Sequence, residues 1–447
     1  MLKSFVRKLV PEPVISLYHL GLAHASAAWY GDPSERMVVI GVTGTNGKSS
    51  TVQFLGRLLE HMGETVGWTT TASFKVAGKE WTNDKKMTML GRFALQRLLH
   101  EMAEAGCRYA IVETSSQGIE QFRHVGINYD VVVFTNLTPE HLEAHGGFEN
   151  YKKAKGKLFA AADDAREKTL RGRAIPKTAI VNADDEHAAY FLSFHLDQQY
   201  GFGLEGKPKP GSARFTPVIA RNVRSGASCS TWSLDHLAFH LEPVGLFNVY
   251  NALSAATACH ALGFRWREIA EAVGQLEPVP GRIEAIDEGQ PFTVIVDYAY
   301  EPYALAALYE AIAPMARKRV IHVTGSAGGG RDEWRRAEIG RFVGERADVV
   351  IVTNEDPYDD DPADIIDQVA DGAAAAGKRD RHDLYRVLDR QEAIDAAVAL
   401  ALPGDLVLVT GKGCEPVMAV AGGRKVPWDD RAAVRKALHH HRAKRNA

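Results

Sequence analysis

The stretch Gly41-Val42-Thr43-Gly44-Thr45-Asn46-Gly47-Lys48-Ser49-Ser50-Thr51 limits what this chain can fold into more than any other. It follows Met37-Val38-Val39-Ile40, a short, unbroken, β-branched run of the kind found in a parallel strand buried on both faces. Beyond it, Val52, Leu55, Leu58, Leu59 and Met62 recur at helical spacing, so the order is strand, glycine-rich loop, helix. Gly44 and Gly47 let backbone N–H groups approach phosphate oxygens with no Cβ in the way, and the helix N-terminus adds partial positive charge. Lys48 would reach the outer phosphates of a nucleotide and Ser49 would ligate Mg²⁺, with Thr45, Asn46 and Ser50 completing the cradle. The spacing is G-x-x-G-x-x-G-K-S; the commoner phosphate-loop pattern would need its first glycine at Val42.

Strand-like and helix-like segments alternate after this loop. Strands are expected at Val66 to Thr71, Tyr109 to Glu113, Val131 to Asn136 and Ala179 to Val181, with a helix at Arg92 to Ala105. Such alternation predicts a parallel sheet covered by helices on both faces. Tyr200 to Pro243, with its glycines and prolines, reads as a β excursion, and Asn248 to Leu262 as a small-residue helix returning to the core. Pro278-Val279-Pro280-Gly281 cannot continue a helix and marks a boundary. A second α/β unit follows, with strands at Phe292 to Val296, Arg319 to Thr324, Val349 to Thr353 and Leu406 to Thr410. The expected fold class is therefore α/β: a P-loop central domain over 37–280 with a mostly parallel sheet, and a Rossmann-like C-terminal α/β domain over 281–447. Residues 1–36 read as a short helical segment. Two such domains joined by a hinge imply closure of one over a nucleotide held by the other.

Charge narrows the partners. With 53 basic and 56 acidic residues the net charge is −3, which leaves no electrostatic footprint for nucleic acid. No stretch approaches the run of about eighteen apolar residues that a membrane span needs. Cys107, Cys229, Cys259 and Cys414 are scattered, without zinc-ribbon or disulfide spacing, so a reduced, cytoplasmic setting is expected. Small-molecule substrates remain.

Several ordered segments together resemble the Mur ligases. Gly41 to Ser49 is similar to their TGTNGK(S/T) loop, Glu113-Thr114-Ser115-Ser116 to their E-x-S-S segment, and His141-Leu142-Glu143-Ala144-His145-Gly146 with Tyr151, Ala154-Lys155 and Leu158-Phe159 to their H-L-D-x-H-G…Y…AK…LF run. Asn182-Ala183-Asp184-Asp185, Phe247 to Asn251, Pro280-Gly281-Arg282-Ile283-Glu284, Asp297-Tyr298-Ala299 and Gly411-Lys412-Gly413 extend the likeness from Met37 to the C-terminus. The motifs are most like those of the branch that adds the third amino acid of the peptidoglycan stem. The resemblance implies an ATP-dependent ligase: a substrate carboxylate attacks the γ-phosphate, and an incoming amine displaces phosphate from the resulting acyl phosphate to form an amide. Lys48 and two Mg²⁺ ions would neutralise the charge that develops.

Residue roles follow from that likeness. Glu113, at a strand's C-terminal end, suits Mg²⁺ as a hard carboxylate. His141 becomes a metal ligand only through the resemblance, since Mg²⁺ prefers oxygen. Lys155 by its spacing alone reads as a solvated helix lysine; the resemblance implies instead that it is carbamylated and helps hold the second Mg²⁺. Asn251 and Arg282 would meet the nucleotide base and phosphate, and Asp297 the ribose, although Asp297 also reads as a turn-starting residue. Arg331, Asp332, Arg335 and Arg336 follow the glycine run 328–330 and could approach phosphate.

Some positions depart from the family pattern. Its D-Y-A-H-x-P is here Asp297-Tyr298-Ala299-Tyr300-Glu301-Pro302. The D-N-P-R of diaminopimelate-adding members, whose arginine grips a carboxylate, is here Glu355-Asp356-Pro357-Tyr358, and Cys414 replaces the histidine of G-K-G-H-E. The resemblance places Asp356, Tyr358, Gly411 and Glu415 around the added amino acid. An acidic pocket without arginine suits a basic amino acid, lysine or ornithine, over diaminopimelate. Only 36 residues precede the first strand, too few for the N-terminal UDP-sugar domain of this branch. Three functions stay open on these residues: a ligase acting on a muramoyl-peptide carboxylate, a related ligase acting on a poly-amino-acid or cyanophycin-like acceptor, and a non-catalytic nucleotide-binding partner.

Overall fold

A computed structural model of the chain describes residues 12–140, 142–207, 215–315, 317–330 and 333–446. Val38–Thr43 is buried along its whole length and lies at the middle of an eleven-stranded sheet, paired in parallel with Tyr109–Glu113 on one side and Val131–Phe134 on the other. Its side chains divide by alternate position. Val38, Ile40 and Val42 join the apolar layer under the helices Lys48–His61 and Leu246–Ala261, while Met37 and Val39 join the opposite layer under Arg92–Glu104 and Phe148–Asp163. This period of two is why the run could be unbroken: both faces are covered.

The parallel set continues outward through Val66–Thr69 at one side and through Thr178–Asn182, Gln198–Leu204 and Thr216–Ser225 at the other. Antiparallel hairpins finish both edges, Ser73–Val76 with Lys79–Thr82, and Ser230–Leu234 with Leu237–Leu241. The expected β excursion is thus a continuation of the main sheet. The first hairpin, 73–82, is an addition that the apolar pattern did not reveal, its outer strand being largely exposed. Glu12–Trp29 is helical and packs on Arg92–Glu104.

A second, six-stranded sheet runs in the order Glu284–Ala285, Thr293–Asp297, Leu406–Thr410, Val320–Thr324, Val349–Thr353, Leu384–Val387. All its pairs are parallel except the first. It is layered in the same way, with Ile295 and Leu408 facing one core and Val294, Val296, Val407 and Val409 the other. Residues just past the C-terminal ends of strands in both sheets line the same cleft, where ligands of open α/β sheets bind.

Candidate active site

The glycine loop leaves its strand with Gly44 and Gly47 at positive φ, and each stands where a side chain has no room. A Cβ on Gly44 would lie 1.9 Å from Thr135 Oγ1, and one on Gly47 would lie 2.2 Å from Asn251 Oδ1. The loop is held in shape by its neighbours: Thr135 Oγ1 donates to Asn46 O at 2.7 Å, and Asn46 N donates to Asn136 Oδ1 at 2.8 Å. Lys48, Ser49 and Ser50 then open the helix, and all three line a cavity of about 360 Å³. Shape and helix N-terminus together fit a chain of phosphates.

Glu113 closes the adjoining strand and is buried. Ser49 Oγ donates to its Oε2 at 2.7 Å, Thr71 N donates to the same oxygen at 2.7 Å, and Thr71 Oγ1 donates to Oε1 at 3.1 Å. A hydroxyl beside a carboxylate is a hard oxygen pair of the kind that holds Mg²⁺ together with waters and phosphate oxygens. Among the described residues no cluster of three or more His, Cys, Asp or Glu side chains is placed to hold a metal. When bound, such an ion neutralises charge on the transferring phosphoryl group. His141 lies outside the described residues, as do Arg331 and Asp332.

Lys155 is not the solvated lysine that its spacing implies. It is 1% exposed, its Nζ donates to Gly44 O at 2.6 Å, and it sits 4.4 Å from the centre of the Tyr151 ring. Burial, reinforced by the charge of Lys48, holds its amine well below the ordinary lysine range. Lys48 itself donates to Thr45 O at 2.6 Å. Both amines therefore bind loop carbonyls, and both residues line the cavity.

The second sheet supplies the far wall. Arg282, Asp297 and Asn251 all line the same cavity, so the structure brings together the residues read as nucleotide-binding. Arg282 lies over the Tyr298 ring at 4.4 Å. Asp297 accepts from Ile283 N at 2.7 Å and Ala299 N at 2.6 Å, so its carboxylate also pins the turn after its strand. The turn-starting reading of Asp297 holds, and the residue also lines the cavity. Two contacts cross from wall to wall: Asn46 Nδ2 donates to Glu301 Oε1 at 2.7 Å and Tyr300 Oη donates to Glu140 Oε1 at 2.8 Å. Burial, and then the Glu140 charge, push the Glu301 carboxyl up to about 8. Tyr300, at the position where the family pattern has histidine, is thus engaged across the seam.

A second cavity of about 230 Å³ adjoins the first and contains Asp356, Tyr358, Gly411 and Glu415. Thr71, Ser115, Tyr298 and Tyr300 line both cavities, so the two share a wall. Both carboxylate oxygens of Asp356 accept from Lys412 Nζ at 3.0 Å, Oδ1 also accepts from Ala419 N at 2.7 Å, and Oδ2 also accepts from Lys86 Nζ. Glu415 pairs with Lys412 and accepts from Tyr298 Oη at 3.0 Å. Arg123 and Arg335 both line this second cavity, so the expectation of an acidic pocket without arginine does not hold; Arg335 lies 5.5 Å from the Tyr300 ring, whereas Arg336 is tied to Asp360 and Gln368. Sequence reasoning missed Lys86, Thr71 and Glu301. Thr71 and Lys86 lie on connections around the unrecognised hairpin, and no spacing marks them.

No described helix is long and apolar enough to cross a membrane. The chain matches the profile of the Mur ligase middle domain over residues 42–259 and that of the Mur ligase glutamate ligase domain over residues 281–413. It is 38% identical to a UDP-N-acetylmuramyl-tripeptide synthetase of Roseiflexus sp., with 96% of this chain and 84% of the relative covered. It is 36% identical, at the same coverage, to a UDP-N-acetylmuramoyl-L-alanyl-D-glutamate–2,6-diaminopimelate ligase of Geobacillus kaustophilus. Among solved structures, one of a 2,6-diaminopimelate ligase superposes with a TM-score of 0.57 at 26% identity, covering 91% of this chain and 79% of that one. The glycine cradle, the carboxylate beside it and these matches lead to one conclusion: the chain belongs to the Mur ligase family and is an ATP-dependent acid–amino-acid ligase.

Proposed function

We propose that this ligase joins the amine of a free amino acid to a carboxylate of a muramoyl-peptide precursor of peptidoglycan. The observation that carries the reading is the shared wall: a phosphate cradle with a Mg²⁺-type oxygen pair opens directly, past Thr71, Ser115, Tyr298 and Tyr300, onto a pocket rich in carboxylates. A carboxylate activated at the first cavity meets an amine held in the second. The names of the relatives at 36–38% identity support the acceptor class. In this reading Gly44 to Ser50 hold the triphosphate, and Lys48 offsets the charge of phosphoryl transfer. Ser49 and Glu113 hold one Mg²⁺. Lys155 carries a carbamate, which forms on the uncharged amine that burial favours, and with His141 it serves the second. Asn251, Arg282 and Asp297 bind the nucleoside.

The added amino acid is basic. Tyr358 stands where an arginine would pair bidentately with the distal carboxylate of diaminopimelate, and the buried Glu355 Oε2 has no hydrogen-bond partner. Phosphate release from ATP, measured over a matrix of amino acids and acceptors and read by product mass, tests the function. Release that requires both lysine or ornithine and a muramoyl dipeptide is expected, with a product equal to their sum less water. A product on a poly-amino-acid acceptor would replace the acceptor class. Nucleotide binding with no release in any well would make the chain a nucleotide-binding partner.

A further inference from the structure

Lys86 belongs to the first half of the molecule yet spends its charge in the second. It follows the hairpin strand Lys79–Thr82, and its backbone adopts the left-handed φ of 53°, uncommon for a residue with a side chain. The connection is held from both halves. Asn83 Nδ2 donates to Thr70 O at 2.8 Å and to Met87 O at 3.0 Å, and Lys425 Nζ, from the C-terminal half, donates to Lys85 O at 2.9 Å. The Lys86 ammonium, 8% exposed, pairs with Asp356 and with Glu415, the latter at 3.1 Å.

Asp356 and Glu415 pair with Lys412 and Lys86, and Asp356 has no remaining place for another donor, while Glu355, Arg123 and Arg335 also line the pocket. The two ammonium groups are not equivalent. Lys412 is fully buried and three residues from Glu415, and despite its burial the Glu415 and Asp356 charges hold its pKa above the lysine range. Lys86 comes from the opposite half, and burial holds its pKa below that range. A side-chain ammonium that binds Asp356 and Glu415 must replace one of their two partners, and the one supplied from the opposite half is Lys86.

We infer that Lys86 determines specificity in this pocket as a tethered ammonium, occupying the Asp356–Glu415 pair until the side-chain ammonium of the incoming amino acid replaces it. The inference rests on the reading that the pocket takes a basic amino acid. Binding of substrate and apposition of the two halves then compete for one pair of carboxylates.

Lys86→Met and Lys86→Arg test it, with KM measured for lysine and for its uncharged counterpart norleucine. Lys86→Met is expected to lower KM for lysine about tenfold, the loss of a competitor worth about 1.4 kcal/mol, without a matching change for norleucine, while Lys86→Arg keeps the parent values. A KM for lysine that is unchanged, or that rises together with that for norleucine, overturns the inference and leaves Lys86 a structural contact. A second measurement needs no turnover. In Lys86→Ala, n-butylammonium chloride at constant ionic strength should raise the unfolding temperature at about one tenth of the concentration that the parent chain, which must first release Lys86, requires. Equal response of the two proteins overturns the inference. A chain that ligates no amino acid at all would fail the proposed function, and the butylammonium titration would still decide whether the Lys86 position is an exchangeable ammonium site.

Discussion

The two walls of the cleft are built on different principles. The wall on the first sheet is made of contiguous chain: Thr43 to Ser50 supplies strand end, glycine turns, amine and hydroxyl within one loop, and the neighbouring strand ends add Glu113 and Asn136. The second wall is an assembly of charges from separate segments, in which Lys86, Asp356, Lys412 and Glu415 pair with one another, Lys86 and Asp356 across 270 residues of sequence. The first wall depends on backbone geometry, and the second on every ion keeping its partner. Damage should therefore differ in kind: loss of turnover at the first wall and loss of stability at the second.

The largest effect is expected at the second wall. Lys412 has no exposed side-chain surface, so Lys412→Met leaves Asp356 and Glu415 buried with Lys86 alone and should cost about 3–5 kcal/mol of stability. Urea unfolding measures it, and a cost under about 1 kcal/mol would put the network among surface ion pairs of little energy. Lys48→Ala should act in the opposite way, lowering ATP-dependent phosphate release on the order of 10²–10³-fold while the unfolding midpoint holds. Near-normal turnover in that variant would remove Lys48 from the phosphate site.

A smaller loss is expected from Lys155→Ala, with partial recovery on adding a short carboxylic acid. Labelled bicarbonate that fails to enter the parent protein at Lys155 would show that the buried amine stays unmodified. The seam between the walls gives the smallest effect. Because the Glu301 carboxyl is raised from 4.5 to about 8, the folded chain keeps a proton that the unfolded chain releases earlier. Stability on this account is highest below the ordinary glutamate range and falls as pH rises from about 4.5 to about 8. Glu301→Gln keeps an acceptor for Asn46 and removes the titration, so its stability relative to the parent should grow across that interval and level off above it. A difference constant with pH would assign the effect to packing.

The legible parts share a physical cause. A strand covered on both faces must be apolar throughout, and Val38–Thr43, Tyr109–Glu113 and Leu406–Thr410 therefore stood out as short aliphatic runs. The hairpin 73–82 escaped because its strands are four residues long and the outer one faces solvent. With it went Lys86. Lys155 was misread from spacing for a related reason. A lysine beside Ala154 on a helix is ordinarily solvated, and only the packing of Phe148–Asp163 against the underside of the loop places its amine on Gly44 O.

By itself, the sequence determined the strand–loop–helix cradle, the α/β layering and the family, since each follows from local periodicity, glycine placement or ordered motifs. Only the tertiary structure decided that Glu301 meets Asn46, and that Asp356 and Glu415 are already satisfied. Charge neutrality in a buried pocket is a property of which distant segments meet there, and carboxylates that read as open to a substrate cation were already held by the ammonium groups of Lys86 and Lys412.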